Sequence, residues 1–496
     1  MKMKAIVIGS GFAGLSAAAS LAKKGYAVTV LEKNETPGGR ARVFRQDGFT
    51  FDMGPSWYWM PEIFEEWFAR FGQKVIDHYD LKRLDPSYQV VFGKNEVWPI
   101  PASMEALIEL FERTETGAGK RLVKFLSEAK LKYDLGMADL VRGPALSWSE
   151  YANTRVIKGM LSSTVFRSLR AHVADSFKDP RLRMLLEFPV LFLGAPPERT
   201  PALYSLMNHA DMTLGTWYPM GGMGLIINGM MKVARDQGVH FRFVTNVERI
   251  LVEKGRAVGV LAAGSRMEAD VVVAAADYHH VESQLLAADQ RNYEEPYWKG
   301  RVMAPSSLLF YWGFDRRLDG LEHHNLFFDR SLDQHTKEIY REPQWPSDPL
   351  LYICAPSRTD PSVAPVGQEN VFALMPIAAG LEDTPDMRTH YHKLVLDRLS
   401  ERCGADLSSH LVVDRSYCIN DFKADYNAFR GNAYGLANTL RQTAVLKPSM
   451  KNRRVKGLYY SGQLTVPGPG VPPSLISGLV VADLIETEMS PLSVHA

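Results

Sequence analysis

The sequence of 496 residues predicts an α/β protein with a parallel sheet and a second, mixed sheet. Three observations predict this fold. The apolar run 5–8 ends at a glycine-rich turn, 9–14, which opens a helix. Residues 457–483 repeat the order strand, glycine-rich turn and helix. Between these two ends, residues 300–450 contain short apolar runs that predict the strands of the second sheet, at 307–312, 350–354 and 371–376.

The first turn reads Gly9-Ser10-Gly11-Phe12-Ala13-Gly14. Here the first glycine permits a tight turn, the second lets the backbone approach a pyrophosphate, and the third lets the helix pack on the strand. The helix N-terminus then offers free N–H groups to the phosphates. A second strand, 27–31, leads to Glu32, an acid placed to bind ribose hydroxyls. This order predicts a dinucleotide site.

A second motif follows the second strand and indicates which dinucleotide binds. It comprises Pro37-Gly38-Gly39-Arg40 and the run Gly48-Phe49-Thr50-Phe51-Asp52-Met53-Gly54. Together these resemble the extended fingerprint of the GG-motif flavoproteins, the group of amine oxidases, protoporphyrinogen oxidase and carotenoid desaturases. The resemblance implies FAD, with Gly39 and Arg40 over its diphosphate and ribityl chain. It also implies a Rossmann-type FAD-binding domain, a mixed-sheet substrate domain and a helical, membrane-facing segment.

The C-terminal segment indicates which group of the GG-motif flavoproteins the chain resembles. A strand, 458–461, ends at Gly462, and a Gly/Pro-rich turn leads to a helix that we expect to begin near Pro472, since proline at a helix start loses no hydrogen bond. With Gly39-Arg40, this segment resembles the bacterial-type phytoene desaturases, over essentially the whole chain. Residues 188–194 and 217–223 are also similar to that family. The chain departs from it at 463–468, where many members carry a histidine.

The resemblance implies a set of FAD contacts and a domain division. The FAD-binding domain is expected to comprise 1–75, 221–300 and 455–496, and the substrate domain 76–103 and 301–454. The remaining stretch, 104–220, is expected to be the helical segment. The expected cofactor-binding residues are Gly9, Gly11, Phe12, Ala13, Gly14, Glu32, Lys33, Gly39, Arg40, Gly54, Pro55, Ser56, Val247, Gly462, Gly470, Val471 and Pro472.

Composition excludes several classes of function. The net charge of +1 gives no reason to expect nucleic-acid binding. The three cysteines have no CxxC spacing, so we expect neither disulfides nor a metal site, as is typical of a reducing cytoplasm. No signal peptide and no run of 18 apolar residues is seen, so we expect a cytoplasmic protein that contacts membranes peripherally. An excess of basic residues over 104–183 is compatible with that contact, although on charge alone an ordinary solvated helix face over a core is the preferred explanation.

The family resemblance implies an FAD-dependent carotenoid desaturase acting on phytoene. It also implies that a quinone or oxygen reoxidises the reduced flavin. A hydrocarbon substrate requires an apolar tunnel, for which 57–60 and 188–193 supply aromatic and apolar side chains. No catalytic pair is evident; Arg155, with Glu150, is the candidate near the reacting carbons. The alternatives are a carotene cis–trans isomerase, a hydroxycarotenoid 3,4-desaturase and a lipid carrier without redox activity.

Overall fold

A computed structural model describes residues 2–151, 167–439 and 441–489. The strands are β1 (Lys4–Ile8), β2 (Ala27–Leu31), β3 (Val43–Gln46), β4 (Phe49–Asp52), β5 (Leu81–Arg83), β6 (Tyr88–Gly93), β7 (Glu96–Ile100), β8 (Trp217–Pro219), β9 (His240–Arg242), β10 (Val247–Glu253), β11 (Arg256–Ala262), β12 (Ser265–Glu268), β13 (Val271–Ala274), β14 (Ser306–Phe314), β15 (His324–Phe327), β16 (Leu351–Cys354), β17 (Glu369–Ile377), β18 (Leu411–Tyr417) and β19 (Leu458–Tyr460).

The helices of the described residues are α1 (Phe12–Lys23), α2 (Pro61–Ala69), α3 (Met104–Thr114), α4 (Ala118–Leu135), α5 (Leu169–Ser176), α6 (Pro180–Glu187), α7 (Leu206–Met212), α8 (Gly224–Asp236), α9 (Tyr278–Gln284), α10 (Glu295–Lys299), α11 (Leu332–Tyr340), α12 (Pro385–Cys403), α13 (Ile419–Tyr426) and α14 (Val471–Met489). Within the ranges that the structure describes, no helix is long and apolar enough to cross a membrane.

A five-stranded parallel sheet has the order β19-β13-β1-β2-β9. Its strands are apolar runs, and the last four residues of β1 and all of β13 and β19 are buried. The sheet therefore unites the beginning, the middle and the end of the sequence. Because β1 and β19 lie on either side of β13, the helices that follow them, α1 and α14, begin at the same edge of the sheet.

Helices α1 and α14 pack closely because α14 carries a glycine at the contact. A Cβ on Gly478 would lie 2.4 Å from the Ala13 carbonyl oxygen and 2.6 Å from the Ser16 side chain. The Ser16 hydroxyl also donates to the Leu475 carbonyl at 2.8 Å. This contact fixes the two helix N-termini side by side.

The second sheet has seven strands in the order β18-β14-β17-β16-β15-β6-β7, and only its β15–β6 pair is parallel. The predicted runs 307–312 and 371–376 lie within β14 and β17, and the run 350–354 begins one residue before β16. Successive side chains of a strand point to opposite faces, so Val371 and Ala373 pack with the buried face of α12. Phe372 and Leu374 face the opposite side, towards a large cavity.

The predicted helical stretch begins with the α3–α4 pair. Leu107 and Phe111 of α3 are buried, as are Leu122 and Phe125 of α4, at the spacing of one helix face. Ser103 caps α3 by accepting a hydrogen bond from the Ala106 N–H at 3.1 Å. Helices α5, α6 and α7 continue the segment beyond residue 166.

Candidate functional site

A cavity of about 440 Å³ extends from the edge of the parallel sheet to the mixed sheet. We call its first part, near the N-termini of α1 and α14, the cofactor branch, and its second part, against β14–β17 and α11, the apolar branch. Nearly all of the predicted FAD contacts line this cavity: Gly9, Gly11, Phe12, Ala13, Glu32, Lys33, Gly39, Arg40, Gly54, Pro55, Ser56, Val247, Gly462, Gly470, Val471 and Pro472. Gly14 is the predicted residue that is not in its lining.

The glycines of the first turn have distinct structural positions. A Cβ on Gly14 would lie 2.1 Å from the Gly9 carbonyl oxygen, so Gly14 permits the packing of α1 on the turn. Gly11 lies across from the second motif, because a Cβ on Gly39 would be 3.3 Å from the Gly11 Cα. The two glycine-rich turns therefore meet, and together they leave backbone exposed to the cofactor branch.

Two helix N-termini face the cofactor branch. The Gly11 cap of α1 has no side chain to accept from the first N–H groups, and residues 470–474 at the start of α14 line the cavity. Gly462 and Gly470 adopt φ values of 114° and 111°, which favour glycine. Free N–H groups and the helix dipoles make this end of the cavity attractive to anions.

Glu32 is held rigidly where β2 ends. Its side chain is buried and accepts hydrogen bonds from the Ser10 N–H at 2.9 Å, the Ser10 hydroxyl at 2.8 Å and the Asn34 N–H at 2.9 Å. A carboxylate has about four acceptor positions. The fourth acceptor position is available on the cavity side, where a ribose hydroxyl can donate to it.

Arg40 places a half-buried cation at the same branch. Its guanidinium donates to the Asn432 carbonyl at 3.1 Å and lies 5.1 Å from the centroid of the Tyr426 ring. Burial lowers the pKa of Arg40, partly offset by Asp277. Its Nε atom has no hydrogen-bond partner in the part of the chain that the structure describes. A half-buried guanidinium with spare donors fits an anionic diphosphate, so these residues fit FAD.

Asp52 connects the second sequence motif to the segment that contains the motif at 217–223. Its carboxylate accepts from the N–H groups of Met223 at 2.8 Å and Gly224 at 3.0 Å, at the start of α8. A Cβ on Gly222 would lie 2.9 Å from this carboxylate. Burial raises the pKa of Asp52 to about 6. The aspartate thus fixes the loop 53–57 that leads into the cavity.

The apolar branch is formed by aromatic and aliphatic side chains. Trp57 and Phe188, which the sequence singled out, are 6.2 Å apart between ring centroids, and Phe328 is 5.9 Å from Phe188. Sequence reasoning missed most of the opposite wall, because strand residues that line a cavity have the same apolar pattern as core residues. That wall includes Leu309, Phe328, Leu332, Ile339, Tyr340, Tyr352, Phe372, Leu374 and Tyr434.

A chain of three polar side chains interrupts this apolar wall. The Tyr352 hydroxyl lies 2.8 Å from the Ser56 hydroxyl and 2.7 Å from His324 Nδ1. The His324 ring stacks on Trp57 at 4.1 Å with an interplanar angle of 10°. The sequence offered no signal for this chain, since its members come from three separate segments, the loop after β4, β15 and β16.

The same pairing gives the two adjacent histidines a third neighbour. Cys354 lies opposite His324 in the register of β15 and β16, and potential ligand atoms of His323, His324 and Cys354 lie within 4.8 Å of one another. All three side chains are buried. His323 Nδ1 is 2.7 Å from the Thr359 hydroxyl. The cysteine spacing alone predicted no metal site, and no pattern in the sequence indicated that Cys354 lies beside these two histidines.

Of the two candidate catalytic residues, the structure describes only Glu150. Glu150 is not among the described residues that line the cavity. Its carboxylate accepts from the N–H groups of Ala145 at 2.9 Å, Leu146 at 2.7 Å and Ser147 at 3.1 Å, so it stabilises an exposed turn. Arg155 lies outside the described residues.

Comparison with known proteins identifies the family. The profile of the flavin containing amine oxidoreductases matches residues 12–485. The chain is 40% identical to a carotenoid 3,4-desaturase of Haloarcula japonica, with 97% of each chain covered. It is 34% identical to a zeta-carotene-forming phytoene desaturase of Myxococcus xanthus, covering 97% of this chain and 93% of the other. It is 30% identical to a 4,4'-diapophytoene desaturase of Staphylococcus haemolyticus, covering 97% and 98%.

Solved structures share the fold at low sequence identity. An oxidoreductase from Methanosarcina mazei aligns with a TM-score of 0.63 at 17% identity, covering 97% of this chain and all of the other. Cyclohexylamine oxidase from Brevibacterium oxydans aligns with a TM-score of 0.57 at 14% identity, covering 98% and 100%. These shared folds agree with the family assignment that the profile match and the relatives at 30–40% identity give. The chain belongs to the flavin-containing amine oxidoreductase family, and within it to the carotenoid desaturases.

Proposed function

We propose that this protein desaturates phytoene, or a closely related carotenoid, to a more conjugated carotene such as lycopene, with FAD as the oxidant. The observation that carries the proposal is the continuity of the cofactor branch with the apolar branch in one cavity. When bound, FAD supplies a hydride acceptor at its N5 atom. A carotenoid has no charged handle, and burial of each CH₂ group contributes about 0.8 kcal/mol to its binding.

The chain's own residues have separate tasks in this proposal. Glu32 and Arg40, with the N-terminus of α1, hold the ribose and the diphosphate. The N-terminus of α14 would place its free N–H groups and its helix dipole beside the flavin ring, where they would favour negative charge. The apolar branch excludes water and aligns the hydrocarbon beside the loop 53–57.

Desaturation at the 3,4 position of a hydroxycarotenoid is the second candidate. The chain is 40% identical to a carotenoid 3,4-desaturase and 34% identical to a phytoene desaturase, and the first of these relatives supports this candidate. The apolar branch also carries the hydroxyl groups of Tyr340 and Tyr434, which could bind a substrate hydroxyl. A carotene cis–trans isomerase is the remaining enzymatic alternative, and its product would contain no new double bond.

Pigment analysis separates these candidates. The chain is expressed in cells that accumulate phytoene and, in parallel, in cells that accumulate a hydroxylated carotene. Their pigments are separated by chromatography with mass detection. We expect products two mass units lighter for each double bond introduced. Isomers of unchanged mass would identify an isomerase. A flavin-loaded protein that leaves both substrates unchanged would contradict the proposal, and purified protein without flavin would favour a lipid carrier.

We also propose that the protein binds membranes peripherally and passes its electrons to a membrane quinone or to oxygen. Support comes from α4, a basic helix with two exposed aliphatic side chains, Val123 and Leu131, and from the exposed Trp148 that follows it. A hydrocarbon substrate is stored in the lipid phase, so a docked enzyme receives it directly. Basic helices with exposed apolar residues bind anionic lipid surfaces.

Vesicle flotation tests the membrane proposal. The FAD-loaded protein is mixed with vesicles containing anionic lipid, and Leu131→Glu is compared with the wild type. We expect the substitution to weaken flotation because it places a negative charge at the lipid boundary. Val366→Glu is the matched control, since Val366 is fully exposed on a different part of the chain. Equal flotation of all three proteins would contradict the assignment of this surface.

A further inference from the structure

A second, small cavity lies behind the point where the two branches of the large cavity meet. Its volume is about 20 Å³, and Ser56 and Phe372 line both cavities. A cavity of this size is large enough for one water molecule, and therefore for one metal ion. His323 and Cys354 also line it, so its wall combines an imidazole with a thiol. We call it the rear cavity.

His323 and Cys354 belong to a cluster of three side chains of metal-binding type. Potential ligand atoms of His323, His324 and Cys354 lie within 4.8 Å of one another, and all three side chains are buried. The cluster forms at the end of a strand pair, because His324 of β15 lies opposite Cys354 of β16 and His323 precedes β15. Two imidazoles and a thiolate are ligands that zinc prefers.

The hydrogen bonds of the two histidines leave one nitrogen of each ring free. His323 Nδ1 is 2.7 Å from the Thr359 hydroxyl, and His324 Nδ1 is 2.7 Å from the Tyr352 hydroxyl. Neither Nε2 atom has a hydrogen-bond partner among the residues that the structure describes, although both rings are buried. An unpaired imidazole nitrogen in the interior carries a desolvation cost, which a bound cation offsets.

The hydroxyl contacts match the surroundings of a metal-bound imidazole. A histidine that binds a metal through one nitrogen donates its other ring N–H to an acceptor, which fixes the tautomer and the plane of the ring. The Thr359 and Tyr352 oxygens can accept in this way from the two Nδ1–H groups. Trp57 also stacks on the His324 ring at 4.1 Å and so fixes its plane. Both Nε2 lone pairs then remain for a metal.

The charges at the rear cavity balance those of a divalent ion. Asp52 lines this cavity, and each of its carboxylate oxygens accepts one backbone N–H, from Met223 and Gly224. Together with a Cys354 thiolate, this carboxylate supplies two negative charges. A divalent ion buried beside them is neutralised, which removes most of the cost of its desolvation.

We propose that His323, His324 and Cys354 bind a zinc ion at the rear cavity. Because the three ligands are buried, the ion binds as β15 and β16 pair during folding. The Cys354 S–H bond breaks, its proton leaves to the solvent, and the sulfur electron pair forms the bond to zinc. A water molecule in the rear cavity completes the four ligands of the ion. The expectation of no metal site rested on cysteine spacing, whereas this cluster forms across two strands.

The ion has a structural role beside the junction of the two branches. His324 contacts both Trp57 and the Tyr352 hydroxyl, so a zinc ion that holds this ring also holds two side chains at the junction. His323, His324 and Cys354 are not among the described residues that line the large cavity. The zinc therefore has no contact with the substrate, and its presence is measurable without turnover, whatever the proposed function does.

Metal analysis of the FAD-loaded protein tests the site. The protein is produced without a histidine tag in zinc-supplemented medium and passed over a chelating column, and its zinc content is measured by plasma mass spectrometry. We expect a stoichiometric zinc ion in the wild type and its loss in Cys354→Ala and His323→Gln. Cys418→Ala is the matched control, since Cys418 is a buried free cysteine outside the cluster, and it should retain zinc.

X-ray absorption at the zinc edge identifies the ligands in the wild type alone, so the test does not depend on the folding of a variant. We expect one sulfur neighbour at about 2.3 Å and nitrogen neighbours at about 2.0–2.1 Å. A wild type without zinc would overturn the proposal and leave a water molecule in the rear cavity. Zinc without a sulfur neighbour, or zinc retained in Cys354→Ala with an unchanged spectrum, would overturn it as well, because the ion would then be bound elsewhere.

Discussion

Lys447 is expected to reduce the stability of the folded protein, and Lys447→Met tests this expectation. The side chain is 3% exposed, and its amine has no hydrogen-bond partner among residues 2–151, 167–439 and 441–489. A Cβ on Gly468, in the turn before α14, would lie 3.2 Å from this amine and 3.2 Å from the Asn438 Oδ1 atom. Methionine retains most of the volume of lysine and has no charge to bury.

The magnitude follows from the pKa. Burial lowers the pKa of Lys447 from 10.5 to about 7. Between these values the unfolded chain binds a proton that the folded chain does not, so the free energy of unfolding rises with pH across the window from about 7 to 10.5. Burial of the charged amine lowers the free energy of unfolding by roughly 5 kcal/mol below pH 7, and this loss is absent above pH 10.5. Lys447→Met should recover roughly 4 kcal/mol at pH 7.

Urea unfolding of the FAD-loaded protein between pH 6.5 and 9.5 measures this effect. The wild-type midpoint should rise with pH, whereas the Lys447→Met midpoint should be higher at pH 7 and depend less on pH. Lys132→Met is the matched control, because this buried lysine donates to the Ser205 hydroxyl at 2.9 Å and the Ala202 carbonyl at 3.2 Å. Burial also lowers the pKa of Lys132, to about 8, but Lys132→Met removes these two hydrogen bonds as well and should therefore stabilise less than Lys447→Met. A Lys447→Met protein less stable than the wild type at pH 7 would refute the reasoning.

Three further substitutions test the site. Glu32→Ala should weaken FAD binding by about 10- to 100-fold, because it removes a rigidly held acceptor worth roughly 1.5–3 kcal/mol. Flavin fluorescence titration measures the affinity. The control is Glu268→Ala, the same change at an exposed position, which should bind FAD as the wild type does. Gly478→Ala should destabilise by about 1–3 kcal/mol and release FAD, since its Cβ would lie 2.4 Å from a carbonyl oxygen of α1. Gly93→Ala, with nothing within 4 Å, is its control in thermal unfolding, and equal melting temperatures for the two would contradict the packing argument. Leu374→Trp should obstruct the apolar branch, so pigment conversion should fall while FAD content stays constant; undiminished conversion would show that the substrate does not pass this side chain.

The parts of the site that the sequence could predict are local in sequence. The turn 9–14, Glu32 and the start of α14 depend on glycine, proline and strand patterns within a few residues, and these patterns determine their conformation directly. Arg40 could be placed because its motif is continuous. The family resemblance supplied the cofactor, which no spacing alone specifies.

What the sequence could not predict depends on pairing between distant segments. Tyr352 reaches Ser56 and His324 only because β16 pairs with β15 beneath the loop after β4, a register that no local pattern encodes. Likewise, Asp52 reads as part of a glycine motif, and its contact with the Met223 N–H requires the folded protein. The sequence shows Glu150 as a polar residue near a helical segment. It does not show that the carboxylate accepts hydrogen bonds from three backbone N–H groups of its own turn, because these contacts depend on the loop conformation.

The parallel sheet draws β1 from the first residues of the sequence and β19, followed by α14, from the last. A ribosome therefore releases the strand, the glycine turn and the helix that complete the cofactor branch only after it has synthesised the first 456 residues. A chain interrupted before residue 457 would carry the first turn without the second helix N-terminus. Loading with FAD thus reports that the segments from β1 to α14 have been made and have folded together.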